Sequence, residues 1–283
     1  MKILVTGTDG FTGRYFIAEA KKNGHEIIAL KSNLNDVALL NQEVLSVVPD
    51  AVVHLAAISF VGHKNDDEFY HVNVIGTLNL LKALIQSSPT PPRILIASSA
   101  NIYGTPDIEM IDESVIAAPV NHYAVSKLAM EFMVKTYFDK LPIVITRPFN
   151  YTGAGQHENF LIPKIVAHFQ RGEKFIELGN LDVSRDFSDV RDVVTSYLHL
   201  LDSNVSSTIV NICSGQAVAL REAVRMMNII AGYEIEVKVN SAFMRANEIP
   251  RLCGNNDYLK KLIKFSPKYT FDQTLKSMFN AVA

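Results

Sequence analysis

Tyr123 and Lys127 stand four residues apart in Tyr123-Ala124-Val125-Ser126-Lys127. On a helix that spacing sets both side chains on one face, a turn apart. An ammonium so placed favours the phenolate, so the phenol is expected to exchange its proton well below its free pKa of about 10. Proton exchange beside a hydride carrier is what the interconversion of a carbonyl and an alcohol requires. Alone, Y-x-x-x-K also fits any solvated helix face; the surrounding residues give it weight. Ile3-Leu4-Val5 runs into Thr6-Gly7-Thr8-Asp9-Gly10-Phe11-Thr12-Gly13. Glycines at 7, 10 and 13 let a turn bend tightly and bring backbone close to a pyrophosphate at a helix N-terminus. Arg93-Ile94-Leu95-Ile96-Ala97 runs into Ser98-Ser99-Ala100-Asn101-Ile102-Tyr103-Gly104. Hydroxyls at the carboxyl end of a parallel strand lie where open α/β sheets bind ligands.

The rest of the chain must position these groups. Its 283 residues are 48% hydrophobic with a net charge of -2, enough to bury a sizeable core and without bias toward nucleic acid. The opening reaches glycine too early for a secretory signal, and no apolar run approaches a membrane span. Cys213 and Cys253 make neither a disulfide framework nor a metal-ligand cluster, so no metal is expected. A reduced, soluble, cytoplasmic enzyme is the expectation.

A second strand, His25 to Leu30, should be followed by a ribose-binding acid about 20 residues past the glycines. The chain has Lys31-Ser32-Asn33 there instead. A cation and a hydroxyl suit a 2′-phosphate, which leans toward NADP(H) with NAD(H) possible; a solvated lysine is the other reading. Asp36 is positioned to cap a helix with an apolar face of Val37, Leu40, Val44 and Val48. The strand from Ala51 to Ala57 ends in Leu55, Ala56 and Ala57, whose small side chains let a cofactor lie across it. His54 reads as a packed histidine. A helix over about 67–86 carries Asn73, which needs a partner if buried. A second helix, from Tyr123 to about Tyr137, is apolar over much of its circumference. Its outer side faces either a partner subunit, as in a homodimer built on these two helices (67–86 and 123–138), or the chain's own second lobe. With core strands at Ile143–Asn150 and Ile209–Ile212, the alternation gives an α/β doubly wound parallel sheet. Residues 1–153, with 188–215 returning, form the dinucleotide-binding part; 154–187 and 216–283 form a small lobe.

These segments, together with His54-Leu55-Ala56-Ala57, Asn73-Val74-Ile75-Gly76-Thr77, Arg147-Pro148-Phe149-Asn150 and Arg185-Asp186-Phe187, resemble the extended short-chain dehydrogenase/reductases of the nucleotide-sugar epimerase, dehydratase and reductase group. The resemblance implies a Rossmann-type sheet and a C-terminal substrate-binding lobe. It makes Ser99 the hydrogen-bond donor to the reacting sugar oxygen and Tyr123 the proton carrier. Lys127 would hold the nicotinamide ribose and depress the tyrosine pKa. Phe11 and Thr12 are placed along the pyrophosphate, Ala56 and Asn73 along the cofactor, Phe149 near the nicotinamide, and Asn33-Leu34 against the adenine. For a nucleotide-diphosphate sugar it implies Asn150, Arg185, Arg245 and Glu248, arginine being the fork that grips a diphosphate. His157, Asn159 and Phe160 are expected to line the sugar pocket.

Dehydration needs an added acid and base, and the dehydratases resembled here carry a Glu where this chain has Asn101. The resemblance therefore leads to NAD(P)H-dependent reduction of a nucleotide-linked 4-keto-6-deoxy sugar, GDP- before dTDP-linked, in surface-polysaccharide synthesis. A 4-epimerase is the alternative, and a non-catalytic NADP-binding sensor a remote one.

Overall fold

The first β-strand, β1 (Lys2–Thr6), is apolar and buried from Ile3 onward. Such a run needs cover on both faces, as in a parallel sheet flanked by helices. The computed structural model, which describes residues 1–60, 62–63, 65–243 and 249–281, supplies that cover. After β1 come α1 (Phe11–Lys22), β2 (Glu26–Ala29), α2 (Val37–Val47), β3 (Ala51–His54), α3 (Asp66–Tyr70), α4 (Thr77–Ser87), β4 (Arg93–Ala97), α5 (His122–Lys135) and β5 (Ile143–Pro148). The chain leaves for β6 (Asn150–Thr152), α6 (Leu161–Gln170), β7 (Phe175–Leu178) and β8 (Ser184–Asp189). It returns through α7 (Val190–Asp202) and β9 (Thr208–Ile212). The last stretch holds β10 (Ala217–Ala219), α8 (Leu220–Ala231), β11 (Glu236–Val239), β12 (Arg251–Leu252), α9 (Asp257–Ile263) and α10 (Phe271–Asn280).

Six strands pair in parallel in the order β2-β1-β3-β4-β5-β9. Alternate residues of β1 face opposite ways. Ile3 and Val5 join Phe16 of α1 and Val193 and Tyr197 of α7 in one core, while Leu4 joins Leu40, Leu80, Leu84, Met130 and Val134 of α2, α4 and α5 in the other. This is the doubly wound sheet expected. The smaller lobe sets β8 between β10 and β12, pairs β6 with β8 and β7 with β11, and buries Phe169, Ile176, Met227 and Leu275 in a third core. The expected lobe is interrupted: Leu259 of α9 and Phe265 pack into the α1/α7 core, so this part of 216–283 lies on the large sheet.

Asp36 caps α2 by accepting from the Leu39 amide at 3.1 Å. Leu40 and Val44 are buried, but Val37 and Val48 are exposed, because Val48 ends the helix in a left-handed turn. The helix expected over 67–86 is broken by a π-helical stretch, His71–Gly76, between α3 and α4. Helices α5 and α6 begin at the substrate side, α5 capped by Asn121, which accepts from Ala124. No helix among the described residues is long and apolar enough to cross a membrane.

Candidate active site

Gly7 has a φ of +72°, and a side chain there would meet the Ala56 amide nitrogen at 2.8 Å. A Cβ on Gly13 would lie 2.2 Å from the Gly7 carbonyl oxygen. The turn therefore closes only with glycine at both positions. It delivers the chain into α1 with Gly10 as N-cap and no side chain satisfying the first amides. Open amides at a helix N-terminus behind a side-chain-free turn fit a pyrophosphate. The Thr6 hydroxyl accepts from the Leu55 and Ala56 amides at 3.1 and 3.0 Å, which pins the exit of β3 beside the turn.

That hydroxyl has accepted twice, so its proton goes to His54 Nδ1 at 2.7 Å. Nε2–H then donates to Thr77 Oγ1 at 2.9 Å, and Thr77 donates to the Asn73 carbonyl at 2.7 Å. Burial, reinforced by the Lys127 charge, drives His54 down to about 3, so it is a neutral packed histidine. Asn73 is buried and satisfied. Its Oδ1 accepts from the Ile58 amide at 3.0 Å, and its Nδ2 donates to Ser126 Oγ at 3.0 Å. It lies beneath the cleft and ties the loop after β3 to α5.

A cleft of about 1690 Å³ runs across the carboxyl ends of the strands into the lobe. Small-molecule sites are typically 300–1,000 Å³ or so, so there is room for a dinucleotide and a second ligand. Gly7, Gly10, Phe11, Thr12, Gly13, Leu55, Ala56, Ala57, Ser98, Ser99, Tyr123, Lys127 and Phe149 line it, as do Asn150, His157, Phe160 and Arg185. Arg185 donates to the Ser184 carbonyl oxygen at 2.9 Å. Arg245 and Glu248 lie outside the described residues.

Ser99 and Tyr123 face the same cleft, and the Ser99 hydroxyl accepts from the Asn101 amide at 3.1 Å. Burial pushes Tyr123 up to about 12, and the neighbouring Ser99 hydroxyl only partly opposes it. Lys127 is itself desolvated down to about 8, with Glu131 opposing, and its ammonium donates to the Ala97 carbonyl at 2.8 Å. The expected phenol ionising below its free value is thus corrected: Tyr123 is a tightly protonated acid. Ser98 Oγ points away, donating to Glu131 Oε1 at 2.6 Å. Glu131 in turn pairs with Arg147 Nη2 at 2.7 Å, both side chains buried. Arg147 also donates to the Tyr103 hydroxyl at 2.8 Å.

Lys31, Ser32, Asn33 and Leu34 follow β2, the edge strand of the sheet, and are not among the residues lining the cleft. The acid missing after β2 arrives from α2. Glu43 accepts from the amides of Lys31 and Ser32 at 2.9 and 2.8 Å and from the Ser32 hydroxyl. Ser32 therefore presents no free hydroxyl. Sequence reasoning also missed Tyr151, whose hydroxyl bonds Thr12 Oγ1 at 2.7 Å and whose ring stacks on Phe11 with centroids 6.3 Å apart. Tyr15 donates to the Ala154 carbonyl at 2.8 Å and Arg14 to that of Gly155 at 3.1 Å. The first turn of α1 is thereby strapped to the loop that carries His157 and Phe160. An aromatic directly after Asn150 was the available signal.

The family model described as GDP-mannose 4,6 dehydratase matches residues 18–278. The chain belongs to the NAD(P)-dependent nucleotide-sugar epimerase/dehydratase family, within the extended short-chain dehydrogenase/reductases. It is 35% identical to GDP-6-deoxy-D-talose 4-dehydrogenase of Aggregatibacter actinomycetemcomitans, over 95% of this chain and 94% of that one. It is 33% identical to GDP-6-deoxy-D-mannose reductase of Pseudomonas aeruginosa, over 99% and 96%. Among solved structures, one from Burkholderia cenocepacia, provisionally described as an epimerase, has a TM-score of 0.93 at 42% identity, covering 99% of this chain and 97% of that one. RMD from Pseudomonas aeruginosa, complexed with NADPH, has a TM-score of 0.89 at 31% identity, covering 98% and 97%. The protein is a nucleotide-sugar-modifying NAD(P)-dependent oxidoreductase.

Proposed function

We propose that the protein reduces the 4-keto group of a nucleotide-linked 4-keto-6-deoxy sugar, GDP-linked in preference to dTDP-linked. The observation that carries this is the cleft's shortage of acids. Among the described residues the one carboxylate lining it, Glu158, is exposed and paired with Arg171 at 2.9 Å. Asn101 and Ala100 stand beside Ser99, and neither can shuttle the protons that removal of water demands. What the cleft does hold, beside Ser99, is the Tyr123 phenol, which keeps its proton and so suits delivery to an oxygen that is gaining charge. Two relatives named for GDP-6-deoxy-hexose chemistry support the substrate class.

The glycine turn and the α1 N-terminus would hold a dinucleotide's pyrophosphate, with Ala56 and Phe149 along its length. When bound, its nicotinamide supplies the hydride. Ser99 donates a hydrogen bond to the sugar's C4 oxygen, and Tyr123 gives that oxygen its proton. The Lys127 charge, one turn along α5, steadies the phenolate left behind. Asn150, His157, Phe160 and Arg185 bind the nucleotide sugar from the lobe side. The likeness to the structure provisionally described as an epimerase favours 4-epimerisation as the second reading.

Incubating pure protein with NADPH or NADH and a set of 4-keto sugar nucleotides separates the two. Stoichiometric loss of cofactor absorbance supports reduction. Sugar interconversion without net cofactor loss supports the epimerase, and cofactor binding without turnover of any sugar would leave only a sensor. We also infer a homodimer, supported by Ile75, Ile85, Val125 and Phe132, which are exposed around α4 and α5.

A further inference from the structure

At the carboxyl end of β2 three donors converge on one carboxylate. They are the amides of Lys31 and Ser32, at 2.9 and 2.8 Å, and the Ser32 hydroxyl; the acceptor is Glu43 of α2. Successive backbone amides turned to one side form an anion nest. In a doubly wound sheet this turn is where the adenosine ribose is read at its 2′ position. A carboxylate there accepts from a free 2′-hydroxyl, whereas a 2′-phosphate needs donors and cations. Here the donors already serve an internal anion.

The charge of the nearby Lys31 also bears on this carboxylate. Burial would raise the Glu43 carboxyl, but the bonds from Ser32 and the two amides, with the Lys31 charge, bring it below the ordinary glutamate value. The same bonds favour its ionised form. The loop is fixed around this arrangement. Asn33 Oδ1 accepts from the Asn35 amide at 2.9 Å, and Asn79 donates to the Leu34 carbonyl at 3.0 Å. Leu34 itself is buried.

We propose that Glu43 is the residue that selects the cofactor, accepting a ribose with a free 2′-hydroxyl and excluding a 2′-phosphate from a nest filled by the chain's own carboxylate. The proposal rests on reading the cleft as an NAD(P)H site. The sequence lean toward NADP(H) counted Lys31 and Ser32 without the acid that folds onto them.

The test needs no sugar. Dissociation constants for NADH and NADPH are titrated by cofactor fluorescence, and thermal shifts are measured with ADP-ribose and its 2′-phosphate, for the wild type, E43Q and E43A. The wild type should hold NADH more tightly, and both variants should move the NADPH/NADH ratio toward NADPH by about tenfold or more, the scale of one unit charge near contact distance. E43Q keeps an acceptor for the loop and should unfold near the wild-type temperature. A ratio within twofold of wild type in both variants, even with both cofactors weakened in parallel, would reduce Glu43 to a loop prop and overturn the proposal, as would a wild type that prefers NADPH. If the wild type bound neither cofactor, the reading of the cleft would fall and the proposal with it.

Discussion

Tyr123 holds its proton up to about 12, and that changes what its removal should do. Tyr123→Phe keeps the ring against Phe69 but removes the proton source. Turnover should fall by about 10²–10⁴, while cofactor titration stays close to wild type. Lys127 carries its charge below about 8 and sheds it above. Accordingly kcat/KM for NAD(P)H should decline as pH rises through that region, and K127M should flatten the decline. The same depression from 10.5 means that folding releases a proton over this window. Lys127 therefore makes the fold gain stability as pH climbs from about 8 toward 10.5, which urea melts at several pH values would read. Of the residues themselves, the meeting of Ser99, Tyr123 and Lys127 at one cleft was legible, because a strand end and a four-residue helical spacing place them there. Glu43 and Glu131 were not. A charged residue on a helix reads as solvated until the fold brings Ser32 to the one and Arg147 to the other.

The strands were the most legible elements, because buried parallel strands are unbroken apolar runs, as in Ile94–Ala97 and Ile143–Thr146. The π-helical stretch at His71–Gly76 was invisible. Its apolar residues keep helical spacing, and the register shift answers to Asn73, whose partners Ile58 and Ser126 are 15 and 53 residues away. Two elements meet at the Arg147–Glu131 pair, β5 against α5, with both charges buried. Arg147→Met strands the carboxylate, leaving only Ser98 and solvent-poor surroundings. The expected loss is about 3–5 kcal/mol in denaturant unfolding. At the β1–α1 junction, Gly13→Ala forces a methyl against the Gly7 carbonyl oxygen, 2.2 Å away in the present geometry. The turn must open, so cofactor affinity should collapse in a fluorescence titration.

Viewed whole, the chain makes two bodies from interleaved segments, since β9 comes home only after the lobe's first strands are laid. Simple alternation revealed the large sheet. It could not reveal α9, where Leu259 and Phe265 cross back to the α1/α7 core, because a short amphipathic helix carries no label for which core it serves. If Phe132, 61% exposed on α5, lies in a subunit contact, F132E should yield monomers in sedimentation velocity with the fold intact. The straps between α1 and residues 151–155, the end of β6 and the turn after it, reach further. A dinucleotide settling at the α1 amides bears on the same turn that holds the opposite wall through Tyr151, Ala154 and Gly155. Loading the first compartment should therefore stiffen the second before any sugar arrives. Amide exchange across Ala154–His157 would then slow with dinucleotide alone, and the two reactants would enter in a fixed order.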